Sequence, residues 1–226
     1  AVQRNILCEI ERDFVALASR TMKPRIMHIW QSIPDQLNKA NKKFLFGRIH
    51  KGAHADHFEQ AVLILSRSGY VHKVDRISAP ILPLKLHADS TAYKLFMLDV
   101  GLLCAAYDPE AKILPEDDAF FERCSGALTE QFVCQELICA GLSELFYWTA
   151  ANSSGEIDYI FQTAGIPVPI EVRTKENHKA KKLSSFCRKF GLRKAISLSF
   201  SDYQDTDFLT NVPIYAINWM TEFSSK

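Results

Sequence analysis

Apolar residues recur with a helical period over much of the first ninety residues. From Val2 to Ser19 they return every three or four positions, which predicts a helix. Pro24 stands where the first turn of a helix tolerates proline, so a second helix is predicted from Arg25 to Ile33, and Pro34 opens a short third segment. A further helix is predicted from Ala55 to Arg67, ended by a glycine two residues later.

Two short strands, Val71–Val74 and Leu82–Leu86, follow these helices. Three short helices and a two-stranded hairpin are typical of a winged helix, a variant of the helix-turn-helix. An ordinary helical packing module fits the same pattern. The hairpin carries charges of both signs, so the pattern does not demand DNA binding. Residues 1–90 are therefore predicted to form a helical, winged-helix-like module.

From about residue 91 the pattern changes to mixed helices and strands. After a strand at Tyr93–Leu98, helices are predicted at Val100–Ala106, Ala127–Ala140 and His178–Phe190, and strands at Leu145–Thr149, Ile157–Gln162, Val168–Arg173, Ala195–Phe200 and Pro213–Ile217. An acidic loop, Asp108–Asp118, interrupts the series. This order predicts an α/β sandwich over residues 91–226, with the last helix as a crossover connection.

Composition places a few further limits on the class of protein. The formal net charge is +1, and no apolar stretch approaches the roughly 20 residues that span a bilayer, so no membrane partner is expected. Six cysteines show neither a CxxC pair nor a disulfide-framework spacing, and no secretory leader is recognisable. A reducing cytoplasm is therefore expected. The chain begins with Ala rather than Met, which suggests a fragment of a longer protein.

Charged residues inside predicted strands are the candidates for chemistry. Asp158 precedes the turn Ala164-Gly165, and Glu171 and Arg173 follow it. A tight turn makes the two strands antiparallel neighbours and could bring Asp158 close to Glu171. Two carboxylates beside a cation form a candidate site for Mg²⁺ or Mn²⁺, because hard cations prefer carboxylate oxygens. A salt-bridged patch on the sheet is the structural alternative.

Glu130 is predicted on the apolar face of its helix, because apolar residues follow it at three, four and seven positions. Burying an unpaired carboxylate raises the free energy of the folded state by several kcal/mol. A partner is therefore expected, either a metal ion or a cation such as Arg173. Glu130 thus joins Asp158 and Glu171 as a candidate metal ligand.

The order Asp158, Glu171, Arg173, with Glu130 on an upstream helix, resembles the PD-(D/E)xK restriction-endonuclease-like core. Several segments are also similar to a domain of unknown function that forms the C-terminal part of bacterial and archaeal AAA-superfamily ATPase-like proteins. These segments are Lys94–Leu103, Gly126–Leu137, Tyr147-Trp148, Gly155–Tyr159 and Pro169–Arg173, and two earlier ones, Ile29–Pro34 and Asn41–Phe44, resemble its winged-helix-like first part.

The resemblance implies a restriction-endonuclease-like fold for residues 91–226 and, where the site is active, Mg²⁺-dependent cleavage of DNA phosphodiesters. Asp158 and Glu171 would bind the metal, and Glu130 would support it or orient water. Arg173 or Lys175 would stabilise charge on the phosphoryl group. The family pattern has Lys where Arg173 stands, and the two are not interchangeable. A catalytically degenerate fold that binds DNA or a protein is therefore the alternative.

The resemblance further implies an ATPase module in cis. ATP binding is expected only in that module, because this chain has no Gly-rich loop ending in Gly-Lys-Ser/Thr. The pair Tyr147-Trp148 is expected to line the sheet core rather than to stack on bases.

Basic residues concentrate between Val172 and Lys194, where nine Lys or Arg stand against one acid. Candidate contacts to the DNA backbone are Lys179, Lys181, Lys182, Arg188 and Lys189. A solvated outer helix face is the alternative. His54 and His57 have a spacing that suits zinc, but no further ligand is apparent, so a surface position is favoured.

Overall fold

The computed structural model describes residues 2–39, 41–107, 118–150, 155–173 and 180–220. The chain forms two compact units, each built from two segments: residues 1–73 with 93–132, and residues 74–92 with 133–226. The predicted α/β class is confirmed, since the described residues form six α-helices and an eight-stranded mixed sheet. The winged-helix-like and restriction-endonuclease-like assignments, and the boundary near residue 90, stay predictions.

Helices dominate the first unit. They are α1 (Val2–Leu17), α2 (Lys23–Leu37), α3 (Ala55–Arg67), α4 (Val100–Tyr107) and α5 (Asp118–Cys139), whose end belongs to the second unit. The predicted first helix and the one ending at Arg67 are confirmed. Their apolar stripes enter one core, because residues three or four apart share a helix face. Fully buried members of this core include Phe14, Ile26, Ile29, Ile33 and Leu65.

The helix α2 continues through Pro34, so the predicted separate third segment is wrong. Proline lacks an N–H and crowds the preceding turn. Only three residues of α2 follow Pro34, however, and its own carbonyl accepts the N–H of Asn38 at 3.2 Å. Continuing the helix also buries Leu37 on the same stripe as Ile33, which offsets the missing hydrogen bond.

The sheet contains eight strands in the spatial order β2-β1-β3-β4-β5-β6-β8-β7. The strands are β1 (Val71–Ile77), β2 (Ala88–Met97), β3 (Phe146–Thr149), β4 (Glu156–Thr163), β5 (Ile166–Val172), β6 (Ala195–Ser199), β7 (Gln204–Asp205) and β8 (Leu209–Pro213). Strands β5, β6 and β8 are parallel neighbours, whereas β4 and β5 are antiparallel. The helix α6 (Ala180–Phe190) is the crossover between β5 and β6, as predicted.

Two predicted strands are wrong. Around Leu82–Leu86 the chain forms a 3-10 helix, Leu84–His87, because Pro83 offers no N–H to a ladder; the strand begins at Ala88 and absorbs the one predicted at Tyr93–Leu98. The apolar run Pro213–Ile217 enters another 3-10 helix, Ile214–Met220, since pairing with β6 places β8 earlier, at Leu209–Pro213. Residues 108–117 of the predicted acidic loop lie outside the described part of the chain.

The helix α6 packs an apolar stripe onto one face of the sheet. Leu183, Phe186 and Cys187 of α6 join an apolar cluster with Phe146, Trp148, Ile157, Ile160 and Ala195. Tyr147 and Trp148 are both buried, so their predicted place in the sheet core is confirmed. Within the described residues, no helix has the length and apolar character needed to cross a membrane.

Candidate functional site

A two-residue turn joins β4 and β5. Both turn residues adopt positive φ angles, 46° at Ala164 and 75° at Gly165, which suit the twist of a tight hairpin. Tyr159 then pairs with Ile170, and one further step along this register places Asp158 opposite Glu171. Opposite residues of neighbouring strands point to the same face, with Cβ atoms roughly 5 Å apart. The hairpin therefore brings the two predicted carboxylates to the same side of the sheet.

The Asp158 carboxylate is anchored to the backbone of β5. Its side chain is 5% exposed, and its Oδ2 accepts the N–H of Val172 at 2.8 Å. The backbone pairing between β4 and β5 ends one residue earlier, at Tyr159 and Ile170, so the side chain of Asp158 accepts from the next N–H along β5. This bond fixes the carboxylate beside the carboxyl end of β5.

Glu171 lies in the interior of the sheet, between β4 and β6, and is 1% exposed. It pairs with Ser197 across the parallel ladder to β6. The thiol of Cys187 on α6 faces the same region: burial, with a smaller contribution from the Glu171 charge, raises the pKa of Cys187 to about 12. The helix α6 therefore covers the side of the sheet that carries Glu171.

Arg173 follows β5 directly. Its backbone N–H donates to the carbonyl of Leu198 at 2.8 Å, which extends the pairing with β6 by one residue. Its side-chain Nε and Nη2 are buried, and neither finds an acceptor within the described part of the chain. The guanidinium edge formed by these nitrogens therefore donates no hydrogen bond to Asp158 or Glu171.

Glu130 belongs to the first unit, whereas Asp158, Glu171 and Arg173 belong to the second. Its Oε1 is paired with Nζ of Lys42, and its Oε2 lies 3.5 Å from Nζ of Lys94. The Lys94 side chain is fully buried, and that of Glu130 is 6% exposed. The cation expected beside this carboxylate is thus a pair of lysines.

Across the described ranges, no group of three or more His, Cys, Asp or Glu side chains is placed to hold a metal ion. The candidate site in the second unit therefore offers a carboxylate pair. His54 and His57 are both exposed, in agreement with the predicted surface position.

The exposed face of α6 is basic. Lys182, Arg188 and Lys189 are exposed, whereas Leu183 and Phe186 are buried. The Nζ of Lys189 lies 5.3 Å from the ring centroid of Trp148 and 5.1 Å from that of Phe190, a cation–π arrangement. Lys175 and Lys179 lie outside the described residues, and Lys181 is described only as part of the helix backbone.

Two family models match the chain. Residues 1–113, half of the length, match the domain of unknown function DUF8612. The chain belongs to the DUF8612 family. Residues 125–217 match a second domain of unknown function, DUF4143, which is common in AAA-ATPase-like proteins. No curated protein and no solved structure matches the chain.

The candidate carboxylates of this DUF8612 protein fall in the DUF4143 match, whereas Lys42 and Lys94 fall in the DUF8612 match. The ion pairs of Glu130 therefore connect residues from both matched regions. Sequence reasoning missed both lysines. The signal for Lys94 was its position inside an apolar strand, where an ammonium group requires a partner. Lys42 gave no such signal.

Proposed function

We propose that the region matched by DUF4143 is a nuclease-like domain that cleaves DNA phosphodiesters with Mg²⁺ or Mn²⁺. The observation that carries the proposal is the buried pair Asp158 and Glu171, brought to one face at the end of β5. In open α/β sheets, ligands bind beyond the carboxyl ends of parallel strands. In its full-length context we place the domain in the cytoplasm, in cis to the ATPase module of an AAA-superfamily ATPase-like protein.

The carboxylate pair suits a divalent cation. Mg²⁺ is commonly held by one or two carboxylates, with water and substrate phosphate oxygens completing its shell. Asp158 and Glu171 would hold the cation, which when bound supplies charge stabilisation to the phosphoryl group. The bond from Val172 N–H fixes the orientation of Asp158. Glu130 has a stabilising role in this proposal, because its carboxylate already faces two lysines.

Arg173 supplies the cationic partner of the substrate. Its buried Nε and Nη2 form a planar edge that matches two phosphate oxygens, and no described residue accepts a hydrogen bond from that edge. Lys175 is the alternative cation, as the sequence suggested. Either residue would stabilise negative charge on the phosphate as the bond to the leaving oxygen breaks.

The exposed basic face of α6 supports binding to the DNA backbone. Phosphate contacts are electrostatic, so affinity falls steeply with salt. Lys182→Glu with Arg188→Glu is therefore expected to weaken DNA binding roughly 10-fold or more at low salt and to flatten the salt dependence. Fluorescence anisotropy with labelled duplex measures both effects. The exposed Lys85, which pairs with Glu144 elsewhere in the unit, provides the control variant Lys85→Glu.

A second candidate function is a degenerate nuclease fold that binds DNA or a protein without cutting. Two observations favour it: Arg173 replaces the lysine of the family pattern, and the described residues offer a carboxylate pair rather than a larger ligand group. A guanidinium is planar and permanently charged, so it does not replace a compact ammonium in catalysis.

Calorimetric titration with Mg²⁺ and Mn²⁺ separates the two candidates. Wild-type protein is compared with Asp158→Ala and with Asp202→Ala, which removes an exposed carboxylate of the same unit. Saturable binding lost only in Asp158→Ala supports the metal site, and cleavage assays on duplex, branched and single-stranded DNA then test catalysis. No binding at millimolar metal would overturn the nuclease proposal and leave the binding module.

A further inference from the structure

Ser197 lies in the polar row that begins at the candidate site. It is a central residue of β6, paired with Glu171 of β5 on one side and with Asn211 of β8 on the other. Both pairings are parallel and in register, so the three side chains point to the same face of the sheet. The row Glu171, Ser197, Asn211 therefore crosses three neighbouring strands.

The hydroxyl of Ser197 is buried without a partner. The residue has no exposed surface, and its Oγ makes no hydrogen bond within the described part of the chain. A buried hydroxyl without a partner costs free energy that alanine at the same position would not. Its presence therefore needs an explanation other than the stability of the fold.

One neighbour of Ser197 is engaged in other hydrogen bonds. Asn211 accepts a hydrogen bond from Ser199 Oγ at 2.8 Å through Oδ1, and its Nδ2 donates to the carbonyls of Ser201 and Asp202 at 3.3 Å and 2.8 Å. These bonds hold Asn211 against the turn after β6. The other side-chain acceptor beside Ser197 in the row is the carboxylate of Glu171, whose Oε2 is buried.

We propose that Ser197 is a positioning residue for Glu171: its hydroxyl donates to the Glu171 carboxylate when that carboxylate holds a divalent cation. This inference rests on the proposed function, because it gives Glu171 a cation to bind. Outer hydrogen bonds of this kind orient the ligating oxygens, and their loss commonly weakens metal binding about 10- to 100-fold. Ser197 acts through Glu171 and does not contact the substrate.

The test compares Ser197→Ala with Ser199→Ala. Both serines lie on β6 and point to the same face, but within the described part of the chain the hydroxyl of Ser199 is hydrogen-bonded and that of Ser197 is not. Ser197→Ala is expected to keep or raise the Tm of the metal-free protein and to weaken Mn²⁺ binding about 10-fold or more. Ser199→Ala is expected to lower the Tm and leave the Mn²⁺ affinity unchanged. Ser197→Thr, which keeps the hydroxyl, restores affinity.

Calorimetry and thermal unfolding read the two effects separately. Wild-type affinity in Ser197→Ala overturns the positioning role while leaving the metal site intact. If Ser197→Ala lowers the Tm and weakens Mn²⁺ binding, and Ser197→Thr does not restore the affinity, Ser197 has a structural role. That result also overturns the positioning role. Absence of saturable Mn²⁺ binding in the wild type overturns the proposed function, and the positioning role falls with it.

Discussion

Replacing Glu130 by glutamine is expected to destabilise the first unit strongly. The substitution keeps the size of the side chain but removes the charge that faces Lys42 and Lys94. The Lys94 side chain has no exposed surface, so its ammonium group cannot turn to water, whereas that of Lys42 is 15% exposed. Breaking a buried ion pair from one side costs about 3–5 kcal/mol. For a chain of this length the Tm should fall by roughly 10 °C.

Urea unfolding followed by circular dichroism measures this change. A double-mutant cycle isolates the pair: Glu130→Gln and Lys94→Met are made singly and together. Lys94→Met removes the buried ammonium group that has lost its carboxylate partner in Glu130→Gln. The double variant is therefore expected to recover much of the stability lost in Glu130→Gln. Lys42→Met provides a second cycle with the more exposed partner, where a smaller coupling is expected.

A loss below about 1 kcal/mol in Glu130→Gln, with no coupling to Lys94, would refute the reasoning, because such values are typical of exposed pairs. Calorimetry on the same variant addresses the sequence-based prediction that Glu130 binds metal. Unchanged Mn²⁺ affinity in a folded Glu130→Gln protein would restrict this carboxylate to stability. Weakened affinity would retain it as a supporting ligand.

Three further predictions concern the second unit. Its buried Cys187, whose pKa is raised to about 12, should resist iodoacetamide at pH 8 while the exposed Cys139 reacts, as read by mass spectrometry. Ala164→Asn should raise the free energy of unfolding by about 1 kcal/mol in urea titrations, because asparagine tolerates the positive φ angle better. A hydrogen bond from the Thr91 hydroxyl is the main cause that lowers the pKa of Asp89 from 3.8 to about 2. The Asp89 carboxylate therefore stabilises the fold above about pH 4, and this contribution to the free energy of unfolding is lost as the pH falls through 2. Asp89→Asn should therefore show a shallower loss of stability over that range in acid titrations; an equally steep loss would contradict this.

Hydrophobic periodicity predicted the elements whose burial is simple. The helix at Ala55–Arg67 and the strands flanking Ala164-Gly165 were found because each has one clear apolar pattern and a recognisable end. The strand prediction for Leu82–Leu86 is wrong because apolar character alone does not supply a neighbouring strand to pair with, and Pro83 removes a backbone donor. Strand β8 was placed too late because its paired residues include Thr210 and Asn211, which carry no apolar signal.

The candidate site likewise contains residues that the sequence predicted and residues that it did not. Local spacing and a tight turn were enough to place Asp158 beside Glu171. The pairing of Lys42 with Glu130 could not be predicted, because the two residues are 88 positions apart in sequence and only the fold brings them together. Ser197 was missed for a related reason: its burial and its strand partners depend on the order β5-β6-β8, which the sequence does not specify.

The prolines of β5 have a consequence for the cohesion of the sheet. Successive N–H groups of a strand point to opposite sides, and the N–H of Arg173 points to β6, so Pro167 and Pro169 lack donors on that same side. The ladder between β5 and β6 accordingly pairs residues 170–172, with one further bond from the N–H of Arg173. This short ladder is a weak junction in the sheet, with Glu171 on β5 and Ser197 on β6. The proposed hydrogen bond from Ser197 to Glu171 would cross this short ladder, so cation binding at Glu171 would strengthen the contact between β5 and β6.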